Sequence, residues 1–432
     1  MRGSPLASFK KIVVGLLFLC LAACNAESDR LPVAPAVDGL STEGELSWCS
    51  RAAMDALCRF TVWRGASSGY IAMFSHNGVP IHSMVCGYQD IASERRMTLD
   101  TQMRIASMTK PITAVAAMSL VEEGRLGLDD PVGSYLPAFN NSLLATDHER
   151  DASGKFPTRP VSNPMLVRHL LMFASGVGPG REQGSALVDY WDANGIYQQS
   201  GGDLVARVTA LGRLPLLEEP GTSWRYGFSA DVLGAVLEKA TGQPLADIFE
   251  ERIFIPLGMD NTRFLPPPDQ RSDMATVYIA NESGELAPSP LRFDNNNWAP
   301  GGSGLVSTLS DYMRFALMLW SGGEYRGARV LQQETVDNMF QLHVAEGVLL
   351  REGIEGLGWG LGLSVVADAE ASVMPDNDGD AWWSGFYGTT FFVSPDTGLT
   401  GVIMSQLEPN EHAPRPVEVF LIQGLAHAGL RH

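Results

Sequence analysis

The position of the strand patterns constrains the fold of this chain more than any other feature of its sequence. Near the start, the apolar segments 70–74 and 81–85 flank Asn77-Gly78, a pair typical of a tight hairpin turn. Residues from about 110 to 290 instead have helical periodicity and long loops rich in Gly and Pro. Strand patterns then return near the end, at 361–366, 389–393 and 399–404. This order predicts an α+β sandwich in which both termini build one antiparallel sheet, flanked by helices, around a mostly helical insertion.

Helices are also predicted at both ends of the chain. Residues 43–58 have an amphipathic pattern, and residues 416–428 form a closing helix. A third helix begins near Ser107, and Gly124 stands where its C-cap would lie.

The N-terminal segment has the composition of a lipoprotein signal peptide. Basic residues precede the apolar run 12–20, which is too short to span a bilayer but has the length of a signal-peptide core. The sequence Leu-Ala-Ala-Cys at 21–24 follows and resembles a bacterial lipobox, in which the chain is cut before a cysteine that carries diacylglycerol. An ordinary secretory signal cut at or soon after Ala23 is the alternative. We favour lipidation of Cys24, because a cysteine directly after small residues at this point has little other use.

This interpretation divides the chain into a signal peptide, a polar tether and one catalytic body, at residues 1–23, 24–42 and 43–432. Within the body, about 43–106 and 290–432 form the α/β part, and about 107–289 form the helical part. The protein is then expected in the bacterial cell envelope, exported and lipid-anchored, facing the periplasm or the exterior.

The composition limits the partners of the protein. A hydrophobic content of 45% is enough for a large core, and a net charge of −18 argues against binding to nucleic acid. Export would permit one disulfide among Cys49, Cys58 and Cys86, with the pairing left open. No obligatory protein partner is evident from the sequence.

No metal and no organic cofactor are predicted. The eight histidines have none of the usual metal-ligand spacings. The acidic segment 376–380 resembles a calcium loop but lacks the later glutamate of such loops, and we interpret it as a solvated turn.

The first motif that can carry catalytic chemistry is Ser107-Met108-Thr109-Lys110, at the start of the third predicted helix. A spacing of three residues puts the hydroxyl and the amine on one helical face, within hydrogen-bond distance. A neutral, desolvated lysine can accept the serine proton, and a helix N-terminus favours the developing alkoxide. The spacing alone is unspecific, because Ser8 and Lys11 repeat it in the N-terminal segment. The apolar helix that follows, with Pro111 in its first turn, favours Ser107.

Two further elements follow along the chain. Tyr226 stands just ahead of an apolar helix, where its phenol can project into a cleft beside a lysine; a half-buried core tyrosine is the alternative. The segment 383–386 leads into the strand 389–393, and a glycine there lets a ligand approach the backbone. The N–H of Phe386 can then join that of Ser107 as an oxyanion hole.

In this order and at these separations, the three elements resemble those of the serine β-lactamase and penicillin-binding-protein superfamily. The resemblance is strongest to family VIII carboxylesterases and class C β-lactamases, covers roughly residues 45 to 430, and implies a β-lactamase-like fold. Less specific segments support it, at 128–132, 167–171, 256–259 and 301–308.

The resemblance also implies roles for individual residues. Ser107 corresponds to the acylated nucleophile, Lys110 to its proton partner, and Tyr226 to the base or proton shuttle. Trp383, Ser384 and Gly385 correspond to the third motif, and Phe386 supplies the second oxyanion N–H.

Two positions depart from the pattern of β-lactamases and peptidases. The third motif usually begins with Lys, and the second has Asn two residues after Tyr, whereas this chain has Trp383 and Phe228. A cation at the first position would bind the carboxylate of a β-lactam or a peptide. Aromatic residues build an apolar pocket instead, which favours small carboxylic esters as substrates of this serine hydrolase.

Alternatives with other substrates or another nucleophile stay open. The same site would serve a β-lactamase, a D-amino-acid peptidase or a transacylase, and a penicillin- or cell-wall-binding lipoprotein without turnover is a further possibility. Gly65-Ala66-Ser67-Ser68-Gly69 matches the Gly-x-Ser-x-Gly pattern of α/β-hydrolases. We interpret that segment as a loop before a strand, because too little chain precedes it to build the expected sheet.

Overall fold

The computed structural model describes residues 46–179, 184–199, 202–291, 298–344, 355–372, 376–413 and 417–430. The predicted signal peptide, the lipidated Cys24 and the tether lie outside the described residues. Across the described ranges, we find no helix with the length and apolar character needed to cross a membrane. The division of the chain into parts stays a prediction.

Eighteen strands lie in the described part of the chain, and most of the long ones are near its two ends. In chain order they are β1 (Gly69–His76), β2 (Val79–Asp90), β3 (Arg95–Arg96), β4 (Met103–Arg104), β5 (Leu143–Ala145), β6 (Thr158–Pro160), β7 (Arg263–Phe264), β8 (Tyr278–Ala280), β9 (Leu286–Pro288), β10 (Leu305–Ser307), β11 (Glu324–Tyr325), β12 (Ala328–Arg329), β13 (Leu357–Trp359), β14 (Ser364–Val366), β15 (Ala381–Gly385), β16 (Thr389–Val393), β17 (Leu399–Met404) and β18 (Leu407–Glu408).

Eight of these strands form one antiparallel sheet in the order β13-β14-β15-β16-β17-β1-β2-β3. The two ends of the chain meet in its middle, where β1 pairs with β17 in a register that sets Ile71 opposite Met404. The predicted α+β architecture, with one antiparallel sheet built from both termini, is therefore confirmed.

The α-helices of the described residues are concentrated between β4 and β13. In chain order they are α1 (Trp48–Trp63), α2 (Thr109–Glu122), α3 (Val132–Tyr135), α4 (Val167–Leu171), α5 (Ala186–Asn194), α6 (Leu204–Leu211), α7 (Ser229–Thr241), α8 (Leu245–Phe249), α9 (Ile255–Leu257), α10 (Leu309–Trp320), α11 (Gln333–Phe340) and α12 (Glu418–Gly429).

Helices cover both faces of the large sheet. Neighbouring residues of a strand point to opposite faces, and Phe391 and Phe392 are such neighbours on β16. The ring of Phe391 packs 5.2 Å from that of Tyr312 on α10, whereas Phe392 packs 4.8 Å from His427 on α12. Because both faces are covered, every residue of β16 and β17 is buried.

The first hairpin follows the sequence prediction. Asn77 and Gly78 connect β1 to β2, and their φ values of 50° and 79° are both in the left-handed region that Asn-Gly turns favour. A disulfide between Cys58 on α1 and Cys86 on β2, with Cα atoms 6.3 Å apart, ties the first helix to this hairpin.

Two predicted boundaries differ from the structure. The first helix runs from Trp48 to Trp63, five residues later than predicted, because the Ser47 hydroxyl accepts the N–H of Ser50 and caps its start. The predicted strand 361–366 is wrong in its first half. The chain turns there with Gly362 at a φ of 91°, and a strand precedes the turn while another follows it.

Candidate active site

Ser107 lies in a short three-ten turn, Ala106–Met108, at the N-terminus of α2. The residue before it, Ala106, has a φ of 44°, a left-handed conformation that costs a non-glycine residue about 1–3 kcal/mol. The preceding N–H of Ile105 donates to the Leu305 carbonyl at 3.1 Å, as the pairing of β4 with β10 requires. The turn that presents Ser107 is therefore held by strand pairing on its N-terminal side and by a buried helix on its C-terminal side.

The three side chains predicted to carry the chemistry lie together. Lys110 Nζ donates to Ser107 Oγ at 3.0 Å, and Ser107 Oγ lies 2.7 Å from Tyr226 Oη. Lys110 Nζ also lies 4.9 Å from the centre of the Tyr226 ring, close enough for a cation–π contact. The serine oxygen thus has an amine on one side and a phenol on the other, two groups that can exchange a proton with it.

A buried aspartate stands behind Lys110. Lys110 Nζ donates to the Gly302 carbonyl at 2.7 Å, and the N–H of the same Gly302 donates to Asp231 Oδ1 at 2.9 Å. Burial raises the pKa of Asp231 to about 6, and the positive charge of Lys110 opposes that rise. A Cβ at Gly302 would crowd the Asp231 carboxylate, so the backbone at 302 needs glycine to fit between the two charges.

Tyr226 is held by its backbone and by its ring. The segment that contains it lies along residues 173–178: the N–H of Arg225 donates to the Phe173 carbonyl at 2.8 Å, and that of Phe228 to the Val177 carbonyl at 3.1 Å. The Tyr226 ring stacks on that of Phe173, with centroids 5.9 Å apart. These contacts fix the phenol in its position beside Ser107.

The third motif occupies β15 and ends next to the nucleophile. A Cβ at Gly385 would overlap the Ile105 carbonyl oxygen, so glycine allows the strand end to approach the turn that contains Ser107. Trp383 packs its ring 5.7 Å from that of Tyr226 and 4.7 Å from that of Trp359. Phe386, the next residue after β15, lines the same cleft as Ser107.

The cleft above Ser107 has a volume of about 270 Å³ and is mostly apolar. Ser107, Lys110 and Tyr226 lie in its wall together with Phe228 and Phe386. The other lining residues are Arg104, Ala106, Pro179, Tyr197, Gly227, Asp231, Leu265, Gly302, Ser303, Gly304, Leu305 and Tyr387. Of the predicted substrate-contacting residues, Trp383, Ser384 and Gly385 are not among those that line it.

Sequence reasoning missed several residues of this cleft. Asp231 was visible in the sequence as an acid inside the apolar run that follows Tyr226. Nothing in the sequence, however, connects it to Gly302. Tyr197 and Ser303 lie on distant segments, and their hydroxyl oxygens are 2.5 Å apart at the wall of the cleft. Such pairs arise only from the tertiary fold.

Ser67, the alternative nucleophile, lies elsewhere. It is buried just before β1, and its Oγ lies 3.1 Å from the hydroxyl oxygen of Ser405. Its segment leads into a strand as the sequence interpretation predicts, and the strand-to-helix elbow of an α/β-hydrolase is not found there.

Comparison with known proteins identifies the family. A family profile described as Beta-lactamase matches residues 52–423. Protein Rv1367c of Mycobacterium tuberculosis (strain ATCC 25618 / H37Rv) is 33% identical over 358 residues, which cover 80% of this chain and 87% of that protein. Esterase EstB of Burkholderia gladioli is 30% identical over 363 residues, which cover 78% of this chain and 85% of the esterase.

A solved structure gives the same result for the fold. "EstCE1, a hydrolase with promiscuous acyltransferase activity" superimposes with a TM-score of 0.73 at 26% identity, covering 88% of this chain and 98% of that one. The chain belongs to the serine β-lactamase and penicillin-binding-protein superfamily, near its family VIII carboxylesterases.

Proposed function

We propose that this protein is a serine carboxylesterase that cleaves small carboxylic esters through an acyl-enzyme on Ser107. One observation carries the proposal: Ser107 Oγ lies within hydrogen-bond distance of both Lys110 Nζ and Tyr226 Oη, in the wall of an apolar cleft. The names of the similar proteins EstB and EstCE1, an esterase and a hydrolase, agree with this reaction class.

In the first half of the reaction, Ser107 Oγ attacks the ester carbonyl carbon and loses its proton to the Lys110–Tyr226 pair. The N–H groups of Ser107 and Phe386 stabilise the oxyanion of the tetrahedral intermediate. The pair then returns the proton to the leaving alcohol. Water attacks the acyl-enzyme in the second half and releases the acid.

The aromatic residues around the site favour an ester over a β-lactam. Phe228 lines the cleft, and Trp383 packs on Tyr226 in the place where β-lactamases and peptidases have a lysine. Without that lysine, a substrate carboxylate lacks the cation that would bind it at this position. A neutral ester does not need one.

Acyl transfer to an alcohol is the second candidate. EstCE1 combines hydrolysis with promiscuous acyltransferase activity by its own description. In this chain the apolar lining of the cleft favours the binding of an alcohol over water as the acceptor of the acyl group.

The test is p-nitrophenyl butyrate hydrolysis by the purified chain and by Ser107→Ala, with Ser67→Ala as the matched control. We expect Ser107→Ala to lose at least about 10⁴-fold in kcat with an unchanged circular dichroism spectrum, and Ser67→Ala to retain turnover. Turnover that survives in Ser107→Ala would contradict the proposal. A chromogenic cephalosporin, assayed beside the ester, should be turned over far more slowly.

We also propose that the chain is exported and anchored by a lipid on Cys24, on the strength of the apolar run and the lipobox-like sequence before it. Labelled palmitate should enter the parent protein and be absent from Cys24→Ala. Equal labelling of both would contradict lipidation at this position.

A further inference from the structure

A second cluster of ionisable side chains lies between β15 and the closing helix. Asp376 and Asp380 come just before β15, and His427 lies on α12. Both aspartate side chains are fully buried, and 12% of the His427 side chain is exposed. The interpretation of 376–380 as a solvated turn is therefore wrong for these two aspartates, while Asp378 between them is exposed.

Each of the three side chains that could bind a metal has one polar atom in a hydrogen bond with the protein and another without a hydrogen-bond partner. Gln423 Nε2 donates to Asp376 Oδ1, and the N–H of Asn377 donates to Asp380 Oδ2 at 2.9 Å. Asp376 Oδ2, Asp380 Oδ1 and His427 Nε2 are buried without a partner. Buried polar atoms are almost always paired, so three such atoms in one cluster indicate a missing ligand.

The spacing of the cluster fits a single ion. The three residues each offer a ligand atom, and these atoms lie within 4.8 Å of one another. His427 Nε2 is 4.0 Å from Asp376 Oδ1 and 3.8 Å from Asp380 Oδ2, too far for hydrogen bonds. These two oxygens are the hydrogen-bonded ones, and the second oxygen of each carboxylate is the one without a partner. Two ligands of a tetrahedral ion at about 2.0–2.2 Å are about 3.4 Å apart, so the side chains close in by about 0.5 Å when the ion binds.

The charges of the cluster also favour a cation. In the described part of the chain, His427 is the only basic group that the structure places within 4.0 Å of either carboxylate. Two ionised carboxylates buried together are costly, and either a bound proton or a bound cation removes that cost.

We propose that Asp376, Asp380 and His427 bind one divalent cation, and that Zn²⁺ is the preferred ion. An imidazole nitrogen with carboxylate oxygens is a donor set that Zn²⁺ takes readily, whereas Ca²⁺ and Mg²⁺ favour oxygen alone. Gln423 lies one helical turn before His427 on α12, and its buried, unpartnered Oε1 is available as a fourth donor.

The position of the site indicates a structural role. Asp380 directly precedes β15, and the six residues from there to Phe386 span roughly 20 Å of extended chain. The ion is therefore too far from Ser107 to contact a substrate in the cleft. It would join α12 to the residue directly before β15, the strand whose other end lies next to the turn that contains Ser107.

The test is calorimetric titration of the full chain with ZnCl₂, after removal of metal with a chelator and dialysis, with CaCl₂ and MgCl₂ in parallel. We expect one Zn²⁺ per chain and a higher melting temperature with Zn²⁺. Asp376→Asn and His427→Ala should each weaken Zn²⁺ binding by at least about 100-fold. Asp269→Asn removes an exposed acid from another part of the chain and should bind as the parent does.

Any of three titration results would overturn the proposal: no saturable Zn²⁺ binding by the parent, binding by Asp376→Asn and His427→Ala equal to that of the parent, or tighter binding of Ca²⁺ than of Zn²⁺. The absorption spectrum of the parent protein with Co²⁺ keeps the proposal testable if a variant does not fold. Co²⁺ in the site should give the intense visible absorption of a low-coordinate ion with a nitrogen ligand. The weak spectrum of hydrated Co²⁺ would contradict the site.

Discussion

Two buried aspartates of this protein have different electrostatic surroundings. Burial raises the pKa of both, to about 6 for Asp231 in the catalytic cluster and to about 8 for Asp376 near the C-terminus. The positive charge of Lys110 lowers the pKa of Asp231, whereas the negative charge of Asp380 raises that of Asp376 further. The cluster around Ser107 therefore contains a cation that favours an ionised acid, whereas the C-terminal cluster contains two acids that disfavour each other's ionisation.

Removing the positive charge of Lys110 should have the largest effect on turnover. We expect Lys110→Met to lose at least about 10³-fold in kcat for p-nitrophenyl butyrate, because Ser107 then has one proton-transfer partner left. The pKa of Asp231 should rise toward that of Asp376, so that unfolding becomes easier as pH increases above 6. Lys239→Met, which removes an exposed lysine from α7, is the control. Turnover of Lys110→Met within tenfold of the parent would contradict the role of this lysine.

Removing the negative charge of Asp231 should have a smaller effect. Asp231→Asn retains an oxygen that can accept the N–H of Gly302 but no longer balances the charge on Lys110. We expect kcat to fall about 10- to 100-fold with little change in KM.

The pH profile of kcat distinguishes a role of Asp231 in positioning Lys110 from a purely structural role. Asp231 is ionised only above its pKa of about 6, so the kcat of the parent should fall as pH drops through 6. The variant should lack that dependence. An identical pH profile in both proteins would show that the charge of Asp231 does not act on Lys110.

The smallest effect is expected on the free energy of unfolding of the metal-free protein, through Asp376 of the C-terminal cluster. The folded-state pKa of Asp376 lies above its unfolded value, so the folded protein holds this proton longer and loses stability as pH rises toward 8. Burial lowers the pKa of His427 to about 4, so its side chain is neutral in the folded protein between pH 6.5 and 8, and its partial protonation in the unfolded state near pH 6.5 is common to the parent and to variants of Asp376. Asp376 can lower the free energy of unfolding by at most about 1.4 kcal/mol per pH unit.

Urea unfolding with a chelator at pH 6.5 and 8 measures this slope. Asp376→Asn should be less sensitive to pH than the parent, and Asp269→Asn should match the parent. If all three proteins lose the same stability between these pH values, Asp376 is ionised in the folded protein without a cation, and the contrast with Asp231 disappears.

The sequence predicted the parts of the fold that depend on local patterns. The strands 389–393 and 399–404 agree with β16 and β17 because apolar runs bounded by Pro and Gly define them. The first helix was placed five residues too early, since its start depends on the capping hydroxyl of Ser47. The turn at Gly362, which splits a predicted strand, also has no clear local signal.

The site was predictable where a motif fixes the spacing. Ser107 and Lys110 are three residues apart on one helix, and the structure brings Tyr226 to them. The contact of Asp231 with Gly302 was not predictable, because it joins two segments that are distant in sequence. The burial of Asp376 and Asp380 was missed for the same reason, since α12 covers a loop that appears solvated when read alone.

The pairing of β1 with β17 determines when this protein can fold. Strand β1 is among the first parts of the chain to be synthesised, and its partner at 399–404 is among the last. The centre of the sheet cannot close until nearly the whole chain has been made, and closure must then bring together segments separated by most of its length. Until that moment the N-terminal hairpin has an open edge, on which a second nascent chain could pair.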